Sequence, residues 1–181
     1  DNLELTGRQT ALIRAVAKAN PNTVVGLNSG APVSMPWLED VKAVLQAYYP
    51  GMEGGNAVAR ILFGEVNPSG KLSVTYPKRL EDTPAFNNYP GGREVSYGEG
   101  IFVGYRHYDL RQIEPLFAFG HGLSYSDFDY LPFQIGYTKG VFPITIHASV
   151  KNIGSYAGKE VIQLYIADQK CSLPRPPKEL K

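Results

Sequence analysis

The order of helical and extended patterns along the chain limits its fold more than any other sequence feature. Within residues 1–76, apolar residues at helical spacing alternate with short β-branched runs. Leu12, Ile13 and Val16 have helical spacing, whereas residues 23–27 form an apolar run typical of a strand buried on both faces of a parallel sheet. This alternation predicts an α/β domain with a mainly parallel sheet.

Cap and turn residues predict where these elements begin and end. Thr6 and Gln9 have the spacing of a capping box, which predicts a helix over 7–19 that ends at Asn20 and Pro21. A short helix is expected within 36–42, and residues 43–48 either continue it or form a strand, the interpretation that we favour. A helix from 57 to 62 closed by Gly64 and a strand over 72–76 are also expected.

The middle of the chain, residues 77–126, loses this periodicity. It is rich in Pro, Asn, Gly and Tyr, as in the sequence Tyr-Pro-Gly-Gly at 89–92. A structureless stretch of this length is uncommon inside a compact domain. We therefore expect an irregular connector that wraps another surface.

The last part, residues 127–181, has an all-β pattern. Ile144, Ile146 and Val150 alternate with polar residues, and residues 161–166 form a second predicted strand. An immunoglobulin-like sandwich needs about seven strands in about 100 residues. We expect this part to be an incomplete β-sandwich, because only 55 residues follow Ser126.

Charge, hydropathy and cysteine content argue against several classes of function. The net charge is +1, from 18 Lys+Arg and 17 Asp+Glu, so the chain lacks the basic excess typical of nucleic-acid binding. Its apolar runs are far shorter than the roughly 20 residues of a membrane helix. Cys171 is the single cysteine, so neither an intrachain disulfide nor a cysteine zinc site is expected. We predict neither nucleic acid nor membrane as a partner.

Three segments approach known nucleotide or nucleophile motifs without matching them. Residues 64–72 resemble a P-loop, but the spacer is one residue too long and Leu72 stands where a hydroxyl would bind magnesium. Residues 98–104 miss the dinucleotide fingerprint by one residue. Ser29 follows a predicted strand without the G-x-S-x-G pattern. We interpret all three as turns or loops and predict no cofactor.

The histidines and one glutamate are the remaining candidates for chemistry. His107, His121 and His147 lack metal-ligand spacing, which favours structural or solvated roles and no metal site. Glu99 lies in the irregular segment, where functional loops concentrate. A loop glutamate is more often a hydrogen-bonding anchor than a catalyst, although nearby carboxylates leave an acid/base pair open. These neighbours are Glu94, Asp109 and Glu114.

The irregular segment is also dense in aromatic residues, namely Tyr97, Phe102, Tyr105 and Tyr108. Two interpretations stand at this point. The rings form a sugar-stacking platform, or they form a core between domains, and the second interpretation is favoured.

Seven segments, in chain order, resemble the C-terminal part of glycoside hydrolase family 3, the β-glucosidase family. Their amino-acid sequences resemble those of the fungal members most. One of them reads Tyr-Pro-Gly-Met-Glu-Gly-Gly-Asn at 49–56, and another reads Tyr-Gly-Glu-Gly-Ile-Phe-Val-Gly-Tyr-Arg at 97–106. The others lie at 22–33, 37–38, 62–72, 119–125 and 158–165. Together they span nearly the whole chain.

The resemblance implies an architecture of a (β/α)8 barrel, an α/β sandwich and a fibronectin type III-like domain. Residues 1–76 would belong to the α/β sandwich, whose N-terminal part is missing. Residues 77–126 would be the connector, and 127–181 the opening strands of the fibronectin type III-like domain.

The resemblance also implies a retaining β-glucosidase, active on terminal β-D-glucosyl residues of β-glucosides or cello-oligosaccharides and hence in cellulose degradation. Such enzymes use two carboxylates about 5–5.5 Å apart. In the family the nucleophile is an aspartate of the barrel, and the acid/base glutamate is expected a few residues before Asp1. No catalytic, substrate-binding or metal-binding residue is therefore assigned here, and we expect the isolated chain to be inactive. The alternative is a non-catalytic carbohydrate-binding or scaffolding module.

Overall fold

A computed structural model describes residues 2–140 and 143–181 of the chain. The helices are α1 (Gln9–Ala19), α2 (Gly54–Leu62) and α3 (Tyr105–Arg111), with short 3-10 helices at Leu38–Asp40 and Leu80–Asp82. The strands are β1 (Val24–Leu27), β2 (Ala43–Gln46), β3 (Phe128–Tyr130), β4 (Gln134–Tyr137), β5 (Ile144–His147), β6 (Val150–Asn152), β7 (Tyr165–Ile166) and β8 (Glu179–Leu180).

The chain divides into two compact units. The first unit comprises Asp1–Ala59, Lys71–His121 and Gln163–Lys181, and the second comprises Arg60–Gly70 and Gly122–Ile162. The domain boundaries predicted at 76 and 126 stay a prediction, because contact units need not coincide with a family's domains.

The α/β character predicted for the first part of the chain is confirmed. Strands β1 and β2 pair in parallel, with Val24 opposite Ala43 and Leu27 opposite Gln46. Parallel neighbours need a crossover connection, which is long enough here to carry the 3-10 helix Leu38–Asp40.

The core of the first unit forms where the β1–β2 crossover meets the segment before Pro77. Trp37 and Tyr76 are fully buried, and they cluster with buried Leu27 and Met35. Partly buried apolar residues surround this cluster, among them Ile13 of α1 and Val44 of β2. Burial of these large side chains fixes the connections between helix, sheet and crossover.

The predicted capping box is wrong. Arg8 is the N-cap of α1 and makes no side-chain cap bond, while the Gln9 and Thr6 side chains contact each other at 3.5 Å. Gly7 lies between Thr6 and the N-cap residue Arg8 and adopts a φ of +62°, so the chain turns before the helix begins. The helix ends at Ala19, as predicted from Asn20 and Pro21.

Two elements of the α/β part are shorter than predicted. The helix expected within 36–42 is the single 3-10 turn Leu38–Asp40. The strand expected over 72–76 is absent from the described structure. Leu72 and Tyr76 instead bond the backbone of His121 and Phe117 at the two ends of the segment. A continuous ladder does not form, because the partner segment turns at Gly120, which has a φ of +83°.

Strand β1 is less buried than its apolar sequence predicts. Leu27 is buried, but Val24 is exposed. Among the described strands β1 pairs with β2 alone, so its other edge has no strand neighbour.

The segment 77–126 is not irregular throughout, as it was predicted to be. It contains α3, which is flanked by Gly104 and by the C-cap residue Gln112, both with a φ of +54°. No helical periodicity marks α3 in the sequence, because the helix is only seven residues long and aromatic and charged residues fill its turns.

Antiparallel pairs dominate the C-terminal part of the chain. Strand β3 pairs with β6, and β4 pairs with β5, in the second unit, whereas β7 pairs with β8 in the first. The strand predicted over 161–166 is limited to Tyr165 and Ile166, because its partner β8 offers only two residues. The described part of the chain contains no helix with the length and apolar character needed to cross a membrane.

Candidate functional site

Glu99 is a partly buried residue of the loop before α3, and a hydrogen bond fixes its carboxylate. The side-chain amide of Asn88 donates to Glu99 Oε2 at 3.0 Å. A Cβ at Gly98 would lie 2.8 Å from Asn88 Oδ1, so glycine allows this close approach. The contact supports an anchoring role for Glu99. Nothing in the sequence pattern points to Asn88, because it lies eleven positions from Glu99.

Two of the carboxylates near Glu99 in sequence, Asp109 and Glu114, have basic partners. Asp109 Oδ2 lies 3.4 Å from Lys178 Nζ, and Glu114 Oε2 accepts a hydrogen bond from Lys78 Nζ at 2.7 Å. The Lys78 hydrogen bond and charge hold the pKa of Glu114 below its ordinary value. None of the hydrogen bonds recorded between described residues joins Glu99 to another carboxylate.

The aromatic residues of this segment do not form one platform. Tyr105 of α3 stacks on Phe119 at a centroid distance of 5.3 Å and meets Tyr165 edge-on at 5.7 Å. Tyr108 is buried, and its burial raises the pKa of the phenol to about 12. Tyr97 is 82% exposed. Tyr105 and Tyr108 therefore belong to the packing around α3, whereas Tyr97 faces outward.

The three histidines have different surroundings. His107 packs edge-on against Tyr108, and the ring of His121 lies 5.0 Å from that of Phe117. Burial lowers the pKa of both imidazoles, with smaller contributions from Arg111 and Lys71, respectively. His147 is exposed on β5. Within residues 2–140 and 143–181, no group of three or more His, Cys, Asp or Glu residues is placed to hold a metal ion.

The serine and glycine motifs hold loops in place. Ser29 donates its hydroxyl to the carbonyl of Ala31 at 3.0 Å, and Gln46 donates to the Ser29 carbonyl at 2.7 Å. In the P-loop-like segment, Asn67 Oδ1 accepts hydrogen bonds from Ser124 Oγ and from the Tyr125 backbone N–H. These contacts match the interpretation of both segments as loops, and they identify Asn67 as an anchor that the sequence pattern did not reveal.

Two cavities flank α3 in the first unit. The larger, of about 460 Å³, is mainly apolar, and its lining includes Pro32, Val74, Pro84 and Val103. The smaller, of about 110 Å³, lies against Asp109 and Lys178. Thr75, Tyr105, Tyr108 and Phe119 line both cavities. No sequence pattern indicates either cavity, because the walls combine segments that are distant along the chain.

The chain matches a family model described as the glycosyl hydrolase family 3 C-terminal domain. The match spans residues 1–125.

Curated relatives match almost the whole chain. Thermostable beta-glucosidase B of Acetivibrio thermocellus is 50% identical over 184 residues, which is 99% of this chain and 24% of the relative. A beta-glucosidase of Kluyveromyces marxianus is 48% identical, covering 100% of this chain and 21% of the relative. The chain thus spans about a quarter of the length of these relatives.

Solved structures with similar folds have comparable identity. The beta-glucosidase of Kluyveromyces marxianus in complex with glucose superposes with a TM-score of 0.91 at 48% identity, covering 100% of this chain and 22% of that one. DesR, a beta-glucosidase from Streptomyces venezuelae in complex with D-glucose, gives a TM-score of 0.92 at 44% identity, covering 99% of this chain and 24% of that one.

Proposed function

The chain belongs to glycoside hydrolase family 3, and from this membership we propose that the complete protein is a retaining β-glucosidase. Its reaction would be hydrolysis of terminal non-reducing β-D-glucosyl residues. The observation that carries the proposal is the 48–50% identity to β-glucosidases along almost the entire chain. The substrates we propose are β-glucosides and cello-oligosaccharides, which gives the protein a role in cellulose degradation.

We propose that both catalytic carboxylates lie outside these residues. A retaining mechanism needs a nucleophile and an acid/base about 5–5.5 Å apart. The contacts of the candidate carboxylates support this proposal, because Asn88 holds Glu99 while Lys178 and Lys78 pair with Asp109 and Glu114. The family resemblance assigns the nucleophile to a barrel domain and the acid/base to a loop preceding Asp1.

The proposed role of this chain is to support the site from an α/β sandwich packed on a barrel of the same protein. Exposed apolar side chains of the loop 86–103 favour such a contact. They are Phe86, Tyr89, Val95, Tyr97, Ile101 and Val103. The antiparallel pairs β3–β6 and β4–β5 are compatible with the opening of a fibronectin type III-like domain, which we propose for residues 127–181.

Hydrolysis of p-nitrophenyl β-glucoside tests the proposal directly. The 181-residue chain and the complete protein are assayed side by side, and activity is expected from the complete protein alone. A chain without either carboxylate lacks the proton transfer and covalent steps of the reaction. Turnover by the isolated chain would show that the carboxylates have been placed wrongly.

Substitution of Glu99 in the complete protein tests the anchoring role. Loss of a general acid or base costs about 10²–10⁴-fold in rate. Glu99→Gln preserves the size of the side chain, and we expect kcat to fall less than about tenfold, below that range. Glu94→Gln, an exposed position of the same loop, is the matched control. A loss of activity of the catalytic size in Glu99→Gln, with the fold intact, would contradict the proposal.

A non-catalytic carbohydrate-binding module is the second candidate function. It is favoured by the exposure of Tyr97, since an outward aromatic face suits the apolar face of a sugar. Such a module would bind cellobiose as an isolated chain, and Tyr97→Ala would abolish the affinity. Absence of measurable binding by the folded chain would reject this candidate.

A further inference from the structure

Ser34 joins the crossover that follows β1 to the segment that precedes α1. Its backbone N–H donates to the Leu3 carbonyl at 2.6 Å, and its hydroxyl donates to the same oxygen at 3.1 Å. A carbonyl oxygen has two lone pairs, so it accepts both hydrogen bonds at once. The two residues are 31 positions apart, and Ser34 is partly buried. A single residue thus fixes a backbone atom in a segment that belongs to neither a helix nor a strand.

The packing on either side holds this contact in place. Met35 is buried in the core cluster of the first unit, and Val33 packs against that cluster. Leu5, two residues after Leu3, packs against the same cluster. The segment before α1 is therefore held twice, by its carbonyl on Ser34 and by an apolar side chain on the core. A group whose own neighbours are packed can set the position of the group it binds.

Leu3 matters because of what we propose for the residues before it. The proposed acid/base glutamate lies in a loop a few residues before Asp1, so Leu3 stands next to the C-terminal end of that loop. A short length of chain has a short reach, and a fixed carbonyl at its end limits where the glutamate can lie. Catalysis is sensitive to such limits, since a misplacement of about 1 Å costs about 10²-fold in rate.

We propose that Ser34 is a positioning residue for the acid/base carboxylate of the complete protein. This inference rests on the proposed β-glucosidase function and on the proposed place of the acid/base before Asp1. By fixing the Leu3 carbonyl, Ser34 anchors the C-terminal end of the acid/base loop. Ser34 acts through this loop and takes no part in the proton transfer itself.

Two glucosides with different leaving groups test the inference in the complete protein. The general acid protonates the leaving-group oxygen, so its placement matters most for a poor leaving group. Cellobiose releases a sugar hydroxyl, whereas 2,4-dinitrophenyl β-glucoside releases a phenolate that needs little protonation. Ser34→Ala should lower kcat/KM about tenfold for cellobiose and less than about twofold for the dinitrophenyl glucoside. The backbone N–H bond to Leu3 remains in this variant, so the loss is smaller than that of a removed acid.

Two further variants serve as controls. Ser34→Thr keeps a hydroxyl that can donate to Leu3 and should restore the parental ratio of the two kcat/KM values. Thr23 has a matched hydrogen bond just before the amino end of β1, where its hydroxyl donates to the Asn20 carbonyl at 2.6 Å. Thr23→Val removes this hydroxyl and should leave both kcat/KM values unchanged.

Failure of the inference differs from failure of the proposed function. A complete protein that hydrolyses neither glucoside would reject the proposed function, and the inference with it. In an active protein, equal losses on both glucosides or no loss in Ser34→Ala would overturn the positioning role alone.

Ser34→Cys decides the matter if Ser34→Ala fails to fold. The thiol has a size similar to that of the hydroxyl but is a weaker donor, so kcat/KM should fall for cellobiose and not for the dinitrophenyl glucoside. A folded Ser34→Cys protein with the parental kcat/KM for cellobiose would overturn the inference.

Discussion

Trp37 illustrates how a single side chain supports the first unit. It is 0% exposed and packs in the cluster with Leu27, Met35 and Tyr76. Its indole N–H is buried with no hydrogen-bond partner in the described part of the chain. Trp37 therefore stabilises the first unit through its volume and apolar surface, while its buried indole N–H lacks a hydrogen bond to the described residues.

Substitution of Trp37 should separate these two contributions. Trp37→Ala is expected to lower the free energy of unfolding by about 3–5 kcal/mol, because a large cavity remains. Trp37→Phe should cost less, since it fills part of the space and removes the unpartnered N–H. Urea unfolding of the complete protein measures both. An equal decrease in the free energy of unfolding in the two variants would show that the packing volume of Trp37 does not determine its contribution to stability.

His107 and His121 should make stability depend on pH. Burial lowers the pKa of each below the ordinary 6.5, so the unfolded chain binds more protons between the lowered pKa and 6.5. The contribution of the two neutral histidines to folding stability is therefore complete above about pH 6.5. It is lost as the pH falls from about 6.5 through the lowered pKa values.

The measurement is the melting temperature of the complete protein between about pH 8 and about pH 5. Replacement of both residues by glutamine should flatten the decline below about pH 6.5. Replacement of His147, exposed on β5, by glutamine is the control and should retain the parental profile. An unchanged slope in the double variant would contradict the assignment.

At the scale of elements, α3 depends on an unusual C-terminal residue. Gln112 caps the helix in the left-handed conformation, with a φ of +54°, and its backbone N–H bonds the Tyr108 carbonyl. For a residue with a Cβ this conformation costs about 1–2 kcal/mol. Gly104 holds a φ of +54° at the other end, so α3 is set between two sharp changes of direction.

Glycine at the Gln112 position should relieve this strain. We expect Gln112→Gly to raise the free energy of unfolding by up to about 1 kcal/mol, because the exposed side chain contributes little. Arg111→Gly, one residue earlier and inside the helix, should lower it by about 0.5–1 kcal/mol. Chemical denaturation of both variants gives the comparison. Destabilisation by Gln112→Gly would mean that its side chain makes a larger contribution than its exposure indicates.

At the scale of the whole molecule, much apolar surface is exposed for the amount that is buried. Ala17, Leu27, Met35, Trp37, Tyr76 and Tyr108 are the buried hydrophobic residues of the described chain. By contrast, Met52 is 98% exposed and Phe63 is 84% exposed, on either side of α2. Exposed apolar groups of this size mark surfaces that another part of a protein covers.

The isolated chain should therefore bind an apolar dye that the complete protein does not. We expect strong fluorescence of anilinonaphthalene sulfonate with the 181-residue chain and weak fluorescence with the complete protein. Met52→Lys in the chain should reduce the signal, whereas Lys159→Met, at an exposed polar position, should not. Equal fluorescence of the chain and the complete protein would show that these residues stay exposed in both.

Local sequence patterns determined some helices and strands by themselves. Helix α1 ends before Asn20 and Pro21, and β1 follows from a β-branched run. Residues 43–48 also suit a continued helix, so the tertiary structure decided the parallel pairing of β2 with β1. The family was also readable, because several glycine-rich and aromatic motifs lie in fixed order along the chain.

Tertiary structure alone decided the features that depend on distant residues. Asn88 holds Glu99 from eleven positions away, and Asn67 is bonded by residues near 125. Residues as far apart as Thr75 and Tyr165 line the smaller cavity. The segment 72–76 has strand propensity, yet a turn in its partner at Gly120 prevents a ladder. Local propensity is a short-range property, whereas pairing, burial and the satisfaction of polar groups depend on which segments meet.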